Sequence, residues 1–161
     1  MVFACPSCYH TWWEQPENGM EIFHSTQFVK NLIDEGKICF RPQEKITKVT
    51  YHDPCDLGRA SGVYEAPREI LRAIPGVDLV EMEGNRENCK CCGGGGNLEM
   101  VRPDLSAAMA KAKIEEIKAT GAEMVVTACQ QCIRSMQTTA RKNKIPLVAM
   151  DIVEFVLKNM A

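Results

Sequence analysis

No apolar run in this chain approaches the roughly 18 residues that a membrane-spanning helix needs, and no long basic block is present. The sequence therefore offers no membrane span, and its charge argues against nucleic acid as a partner. Residues Met1 to Cys5 lack the basic start and apolar stretch of a secretory signal. Missing too is the even cysteine count of a small secreted disulfide scaffold. Nine cysteines are spread over 161 residues, beside 19 basic and 21 acidic side chains. An odd count with two C-x-x-C pairs and one adjacent pair fits a reducing cytoplasm, where thiols serve as metal ligands or redox groups. The length is sufficient for one domain with a real hydrophobic core.

What is present is a spacing. Cys55 is followed by Cys91-Cys92-Gly93 and then by Cys129-Gln130-Gln131-Cys132. Thirty-five residues lie between Cys55 and Cys91, and thirty-six between Cys92 and Cys129. Five thiols brought together are too many for one tetrahedral metal ion and one more than a cubane cluster takes. They suit an unusual iron–sulfur centre. Cys129 precedes a helical pattern, so the Cys129 and Cys132 thiols lie near a helix N-terminus, whose dipole favours thiolates. Thiolates are soft ligands that select iron–sulfur clusters, zinc or copper(I). Two adjacent cysteines wrap a single ion poorly but can bridge or ligate neighbouring irons. Gly93 to Gly96 allow the backbone to approach closely and present N–H donors to sulfides.

Period and turn signals predict strands at 48–51, 77–82, 123–128 and 146–150. They predict helices at 64–74, from a capping Asp104 to 120, at 130–142 and at 151–159. Residues 22–34 read as a strand and a capped helix, and 9–18 and 83–97 as loops. Strands alternating with helices give an α/β fold, an open, mostly parallel sheet flanked by helices. In such sheets sites form beyond the carboxyl ends of the strands, and Cys5, Cys55 and Cys129 each follow a predicted strand.

Val2 to Cys8 reads VFACPSC and Val126 to Cys132 reads VTACQQC. The offset of 124 residues between Cys5 and Cys129 carries downstream to Phe23 and Leu147, Phe28 and Ile152, and Val29 and Val153. A constant offset points to internal duplication. The later copy holds its full cysteine set, whereas the earlier one would need its lead cysteine and adjacent pair before residue 1. The expectation is the C-terminal part of a longer two-copy protein, with residues 1–40 the tail of a truncated first repeat and 46–161 a complete unit. Trp12 and Trp13 would then line an apolar surface, and a homo-oligomer could form to hide it.

The five-cysteine pattern, together with His52-Asp53-Pro54-Cys55-Asp56-Leu57-Gly58-Arg59, resembles the cysteine-rich CCG domain of the B and D subunits of heterodisulfide reductase. The same domain occurs in the C subunit of glycerol-3-phosphate dehydrogenase, in the iron–sulfur subunits of lactate and glycolate oxidase, and in the K subunit of the sulfite-reductase-linked membrane complex. The resemblance covers residues 46 to 158 in full, and residues 1 to 35 look like the tail of a preceding CCG copy. It implies a noncubane 4Fe–4S cluster held by Cys55, Cys91, Cys92, Cys129 and Cys132. The implied function is that of an iron–sulfur oxidoreductase subunit or fragment, reducing thiol/disulfide substrates by single electrons. The ferredoxin-type run C-x-x-C-x-x-C-x-x-x-C-P is absent. Electrons would then arrive from a ferredoxin-type or flavoprotein subunit, and the chain alone would be inactive. A small thiol or disulfide, or a protein disulfide, is the implied substrate. The implied place is the cytoplasm, including the inner face of a membrane complex. Two alternatives stay open: an electron-relay iron–sulfur subunit of a flavin dehydrogenase, and a non-enzymatic zinc module with an all-cysteine site.

Outside the motif the readings are plainer. Cys39, in an apolar stretch, reads as a small core residue. His52 reads as a hydrogen-bonded strand-end histidine or as a donor behind the cluster ligands. Arg59 reads as a guide for an anionic thiol or as a salt-bridging surface residue. The Lys/Glu alternation from Lys111 to Lys118 reads as a solvated helix face. Cys89 is a spare ligand, a redox thiol or neither, and Cys5 and Cys8 are a half-site or unligated thiols.

Overall fold

A computed structural model describes residues 1–13 and 19–161. From the N-terminus the chain forms β1 (Val2–Phe3), α1 (Pro6–Trp13), β2 (Phe23–His24), α2 (Ser25–Asp34), β3 (Thr47–His52), α3 (Glu65–Ala73) and β4 (Val77–Leu79). It continues through α4 (Leu98–Val101), α5 (Pro103–Ala119), β5 (Met124–Thr127), α6 (Gln130–Lys142), β6 (Ala149–Asp151) and α7 (Ile152–Asn159). The strands β4-β3-β5-β6 make a four-stranded parallel sheet, and β1 and β2 make a separate parallel pair. The expected α/β architecture, a parallel sheet flanked by helices, is the one observed.

Central strands covered on both faces must be apolar on both. Val49, Thr50, Tyr51 and His52 at the end of β3 are all buried. Successive residues of β5 point to opposite sides of the sheet. Val126 joins Val49, Tyr51, Ile70, Leu71 and Phe155 in one core, and Val125 joins Met82, Ile117, Met136 and Cys132 in the other. Helix starts are fixed by local chemistry. His24 caps α2, accepting from the Thr26 N–H at 3.3 Å, while the Gln27 side chain accepts from the His24 N–H at 2.9 Å. Asp151 caps α7 by accepting from the Val153 N–H at 2.8 Å.

Several expectations are corrected. Residues 9–13, read as loop, belong to α1, because Tyr9 is buried edge-on against the His24 ring at 5.7 Å; residues 14–18 of that reading lie outside the described residues. Asp104 does not cap α5: Pro103 opens the helix after Arg102, and Asp104 is ion-paired with Arg102 at 2.8 Å. Cys39 is exposed rather than in the core, in the irregular segment between α2 and β3. The constant offset also fails beyond the first helix. Val2 lies opposite Phe23 and Val126 opposite Met150, so Phe23 answers to Met150 and not to Leu147.

One buried cation ties the sheet edge together. Arg68 of α3 is fully buried, and its guanidinium donates to both Asp53 oxygens at 2.7 and 2.8 Å. It also donates to Glu81 at 2.7 and 3.1 Å and to the Tyr64 carbonyl at 2.7 Å. The Arg86 backbone N–H donates to Asp53 as well, at 2.8 Å. Removing one partner of a buried ion pair leaves the other charge uncompensated. Asp53→Asn should therefore lower stability by about 3 kcal/mol, read as a fall in the urea midpoint with an unchanged slope.

Candidate metal centre

Three separate segments supply the cysteines. His52 at the end of β3 lies opposite Thr127 at the end of β5, so the segments carrying Cys55 and Cys129 leave the sheet side by side at its carboxyl edge. After Cys55 the chain makes one wide helical turn, Asp56–Ala60, in which the Ala60 N–H reaches the Cys55 carbonyl at 3.1 Å. Cys129 passes directly into α6, which carries Cys132 on its first turn. Cys91 and Cys92 arrive on the loop between β4 and α4.

All five thiols line one cavity of about 470 Å³. Cys92 and Cys132 are buried with their sulfurs 3.1 Å apart, while Cys55, Cys91 and Cys129 are partly exposed. The thiols are in mutual hydrogen bonding, and this divides them electrostatically. Hydrogen bonds from Cys55 and Cys92, with a further one from the Gly93 N–H at 3.3 Å, hold Cys91 far below the ordinary thiol range. The hydrogen bond with Cys132, helped by backbone N–H groups at the start of α6, brings Cys129 down to about 7. Cys132 is pushed well above its usual value by Cys129, Cys92 and burial, and Cys55 is pushed up by its bond to Cys91.

Glycine makes the adjacent pair fit. Gly93 has φ +76°, and a Cβ there would sit 2.5 Å from the Ser106 carbonyl oxygen; at Gly94 it would sit 2.9 Å from the Gln131 carbonyl oxygen. The loop is clamped from both sides. Ser106 Oγ donates to the Gly93 carbonyl at 2.7 Å, Gln131 to the Gly94 carbonyl at 2.9 Å, and Ser135 Oγ to the Cys92 carbonyl at 2.8 Å. A Cβ on Gly95 or Gly96 would meet nothing within 4 Å; both line the cavity on its open side. Pro6 and Ser7 of α1 also line it, with Ser7 hydrogen-bonded to Asp56, and Arg134 pairs with Glu99 at the rim at 2.9 Å. An all-sulfur donor set in a cavity of this size fits a soft polynuclear group. A tighter subset also exists: ligand atoms of His52, Cys92 and Cys132 lie within 4.8 Å of one another.

Cys5, Cys8 and Cys39 do not line the cavity. Cys89, next to the motif, faces away from its mouth, with its sulfur 3.6 Å from Lys113 Nζ and 3.4 Å from His52 Nδ1. His52 is held down to about 4 by burial and by the Lys113 charge; it ends β3, and its ring lies within 4.8 Å of the Cys92 and Cys132 sulfurs. Arg59 forms no salt bridge among the described residues; it donates to the Cys89 carbonyl at 2.6 Å and braces that loop. Lys113 went unrecognised in the sequence. Read as part of a solvated face, it is fully buried. Its spacing, three after Ala110 and four before Ile117, carried the signal.

In the metal-free chain, iodoacetamide at about pH 6 should modify Cys91 ahead of Cys132, because only thiolates react; peptide mass mapping reads the order. Gly93→Ala should cost about 2 kcal/mol through its positive φ and the Ser106 clash, seen as a lowered unfolding midpoint.

Residues 49–137 match the cysteine-rich domain known as CCG. The chain is 38% identical to the D subunit of dihydromethanophenazine:CoB–CoM heterodisulfide reductase from Methanosarcina barkeri, over 97% of this chain and 39% of that protein. It is 36% identical to a probable iron–sulfur-binding oxidoreductase, FadF, from Bacillus subtilis, over 91% of this chain and 21% of that protein. It is 33% identical to the B subunit of fumarate reductase (CoM/CoB) from Methanothermobacter marburgensis, over 96% of this chain and 31% of that protein. The chain thus spans about two fifths or less of the length of these relatives. No helix among the described residues is long and apolar enough to cross a membrane. All five cavity-lining cysteines fall inside the matched segment, and the chain belongs to the cysteine-rich CCG domain family.

Proposed function

We propose that this chain is an iron–sulfur subunit or module of a heterodisulfide reductase-like oxidoreductase, holding a noncubane 4Fe–4S cluster on Cys55, Cys91, Cys92, Cys129 and Cys132. The observation that carries this reading is the convergence of five thiols from three segments on one open cavity. The names of the relatives, a heterodisulfide reductase subunit and an iron–sulfur-binding oxidoreductase, support it. Such a group, when bound, supplies single electrons to the sulfur atoms of a disulfide. The chain's own residues do the rest. The clamped Cys91-Cys92 loop fixes two thiols against α6, and Gly95 and Gly96 leave the approach clear for a substrate sulfur. Electrons come from a ferredoxin-type or flavoprotein domain or subunit at the cytoplasmic side. Residues 1–40 are read as the tail of a preceding CCG copy and 46–161 as a complete one.

A second reading rests on the closeness of His52, Cys92 and Cys132. Three ligands so placed suit one zinc ion, with another thiolate as the fourth. Metal content separates the two. Chain produced and kept without oxygen should carry about four iron and four sulfide per molecule. Cys129→Ala should lose the iron and the visible absorbance while its far-ultraviolet dichroism persists. A thiol or disulfide added anaerobically should change the paramagnetic spectrum. One zinc per chain with no iron uptake would overturn the cluster reading.

A further inference from the structure

The cavity has a built back wall. Lys113 is fully buried, which is rare for lysine unless the charge is matched. Its Nζ lies 2.6 Å from Glu116 and 3.6 Å from the Cys89 sulfur. The two members of this pair face different ways. Glu116 turns outward, where Lys90, itself mostly exposed, pairs with it at 2.6 Å, and it lines a surface groove with Glu81 and Glu83. Lys113 turns inward. Cys89 sits between it and His52, whose ring nitrogen is 3.4 Å from the Cys89 sulfur. His52 in turn lies against Cys92 and Cys132. The space among His52, Cys89 and the thiols of Cys55, Cys91, Cys92 and Cys132, which Asp53, Arg59 and Lys90 also line, is only about 10 Å³, too tight for more than a single water. Screening between Lys113 and the cysteine site is therefore weak.

We infer that Lys113 is a positioning residue for electron uptake: its buried ammonium, the inward end of the Lys113–Glu116 pair, stabilises the electron that enters the centre and so raises its reduction potential. The inference rests on the iron–sulfur reading. Nearby charge and hydrogen bonding to the sulfurs set the potentials of such centres, and a charge in a poorly hydrated interior acts over longer distances than one in water. Cys89 and His52 transmit the effect as polarisable groups in series, Cys89 against His52 and His52 within 4.8 Å of the Cys92 and Cys132 sulfurs. They hold Lys113 close without letting it bond to a ligand sulfur. Cys89 makes no disulfide, and Lys113 reaches no solvent.

The test is a reductive titration of the anaerobically loaded chain with viologen mediators, followed by paramagnetic resonance. Lys113→Met keeps the length of the side chain and removes its charge. It should lower the one-electron reduction equilibrium at least tenfold, which is about 59 mV. Lys113→Arg should stay near wild type. Glu116→Gln removes the opposing charge and should shift the equilibrium the other way by a smaller factor. A packing defect would not produce shifts of opposite sign at two residues of one pair. A loaded Lys113→Met chain with the wild-type potential, or both variants moving in one direction, overturns the inference. If Lys113→Met does not fold, Glu116→Gln decides alone, and no upward shift in it counts as refutation. A wild-type chain that takes up no iron overturns the iron–sulfur reading, and this inference with it; a loaded chain indifferent to Lys113 overturns the inference only.

Discussion

The site depends on a cation that never touches it. Arg68 draws Asp53, two residues before Cys55, and Glu81, at the head of the loop to Cys91, onto one guanidinium. Burial works against the charged form of this arginine, but Asp53 and Glu81 outweigh it and hold it charged. The planar fork satisfies both carboxylates at once and also stacks over the Tyr51 ring at 5.3 Å. Lysine could not replace it, having no second face for Glu81. With these bonds made, the segment leaving β3 and the segment leaving β4 have a fixed separation. The adjacent cysteines then have only one place to land, on α6 beside Cys132.

That landing is costly unless the backbone can come close, and the glycines at 93 and 94 remove the side chains that would prevent it. The same loop gives up its carbonyls to Ser106, Gln131 and Ser135, so its polar groups are satisfied as it packs. The five thiols are crowded enough to share protons. Some are pushed towards thiolate and others held protonated by the same contacts. A set of this kind is held in tension by its own charge, and soft cations relieve it.

Much of this was legible in the sequence. The five cysteines, the strand ends that carry them and the parallel sheet all follow from spacing and period, because a parallel sheet gathers loops at one edge. What was not legible depended on long-range burial. The Lys/Glu alternation in α5 suggests solvent, but in the folded chain Lys113 is buried against Cys89, 24 residues earlier, which sequence distance hides. Cys39 has apolar neighbours in sequence yet is exposed. Residues 9–13 carry weak helical signals, and it is the burial of Tyr9 against His24 that makes them a helix. The offset between the two C-x-x-C segments is constant in the letters, but strand register decides which residues correspond in space.

The two sides of the cavity differ in kind. The mouth is formed by glycines, α1 and the exposed Arg134–Glu99 pair, groups that add little charge and leave room. The back is tightly packed and charged, with His52, Cys89 and Lys113 in series behind the buried thiols Cys92 and Cys132. Chemistry with a bulky partner needs access, and control of an electron's energy needs a fixed low-dielectric environment. One wall cannot supply both, because water admitted to the mouth would screen a charge placed there. Three segments meeting at a sheet edge resolve the conflict. The loop that carries Cys91 and Cys92 separates the two regions, with Gly95 and Gly96 facing the opening and Cys89 facing the buried lysine.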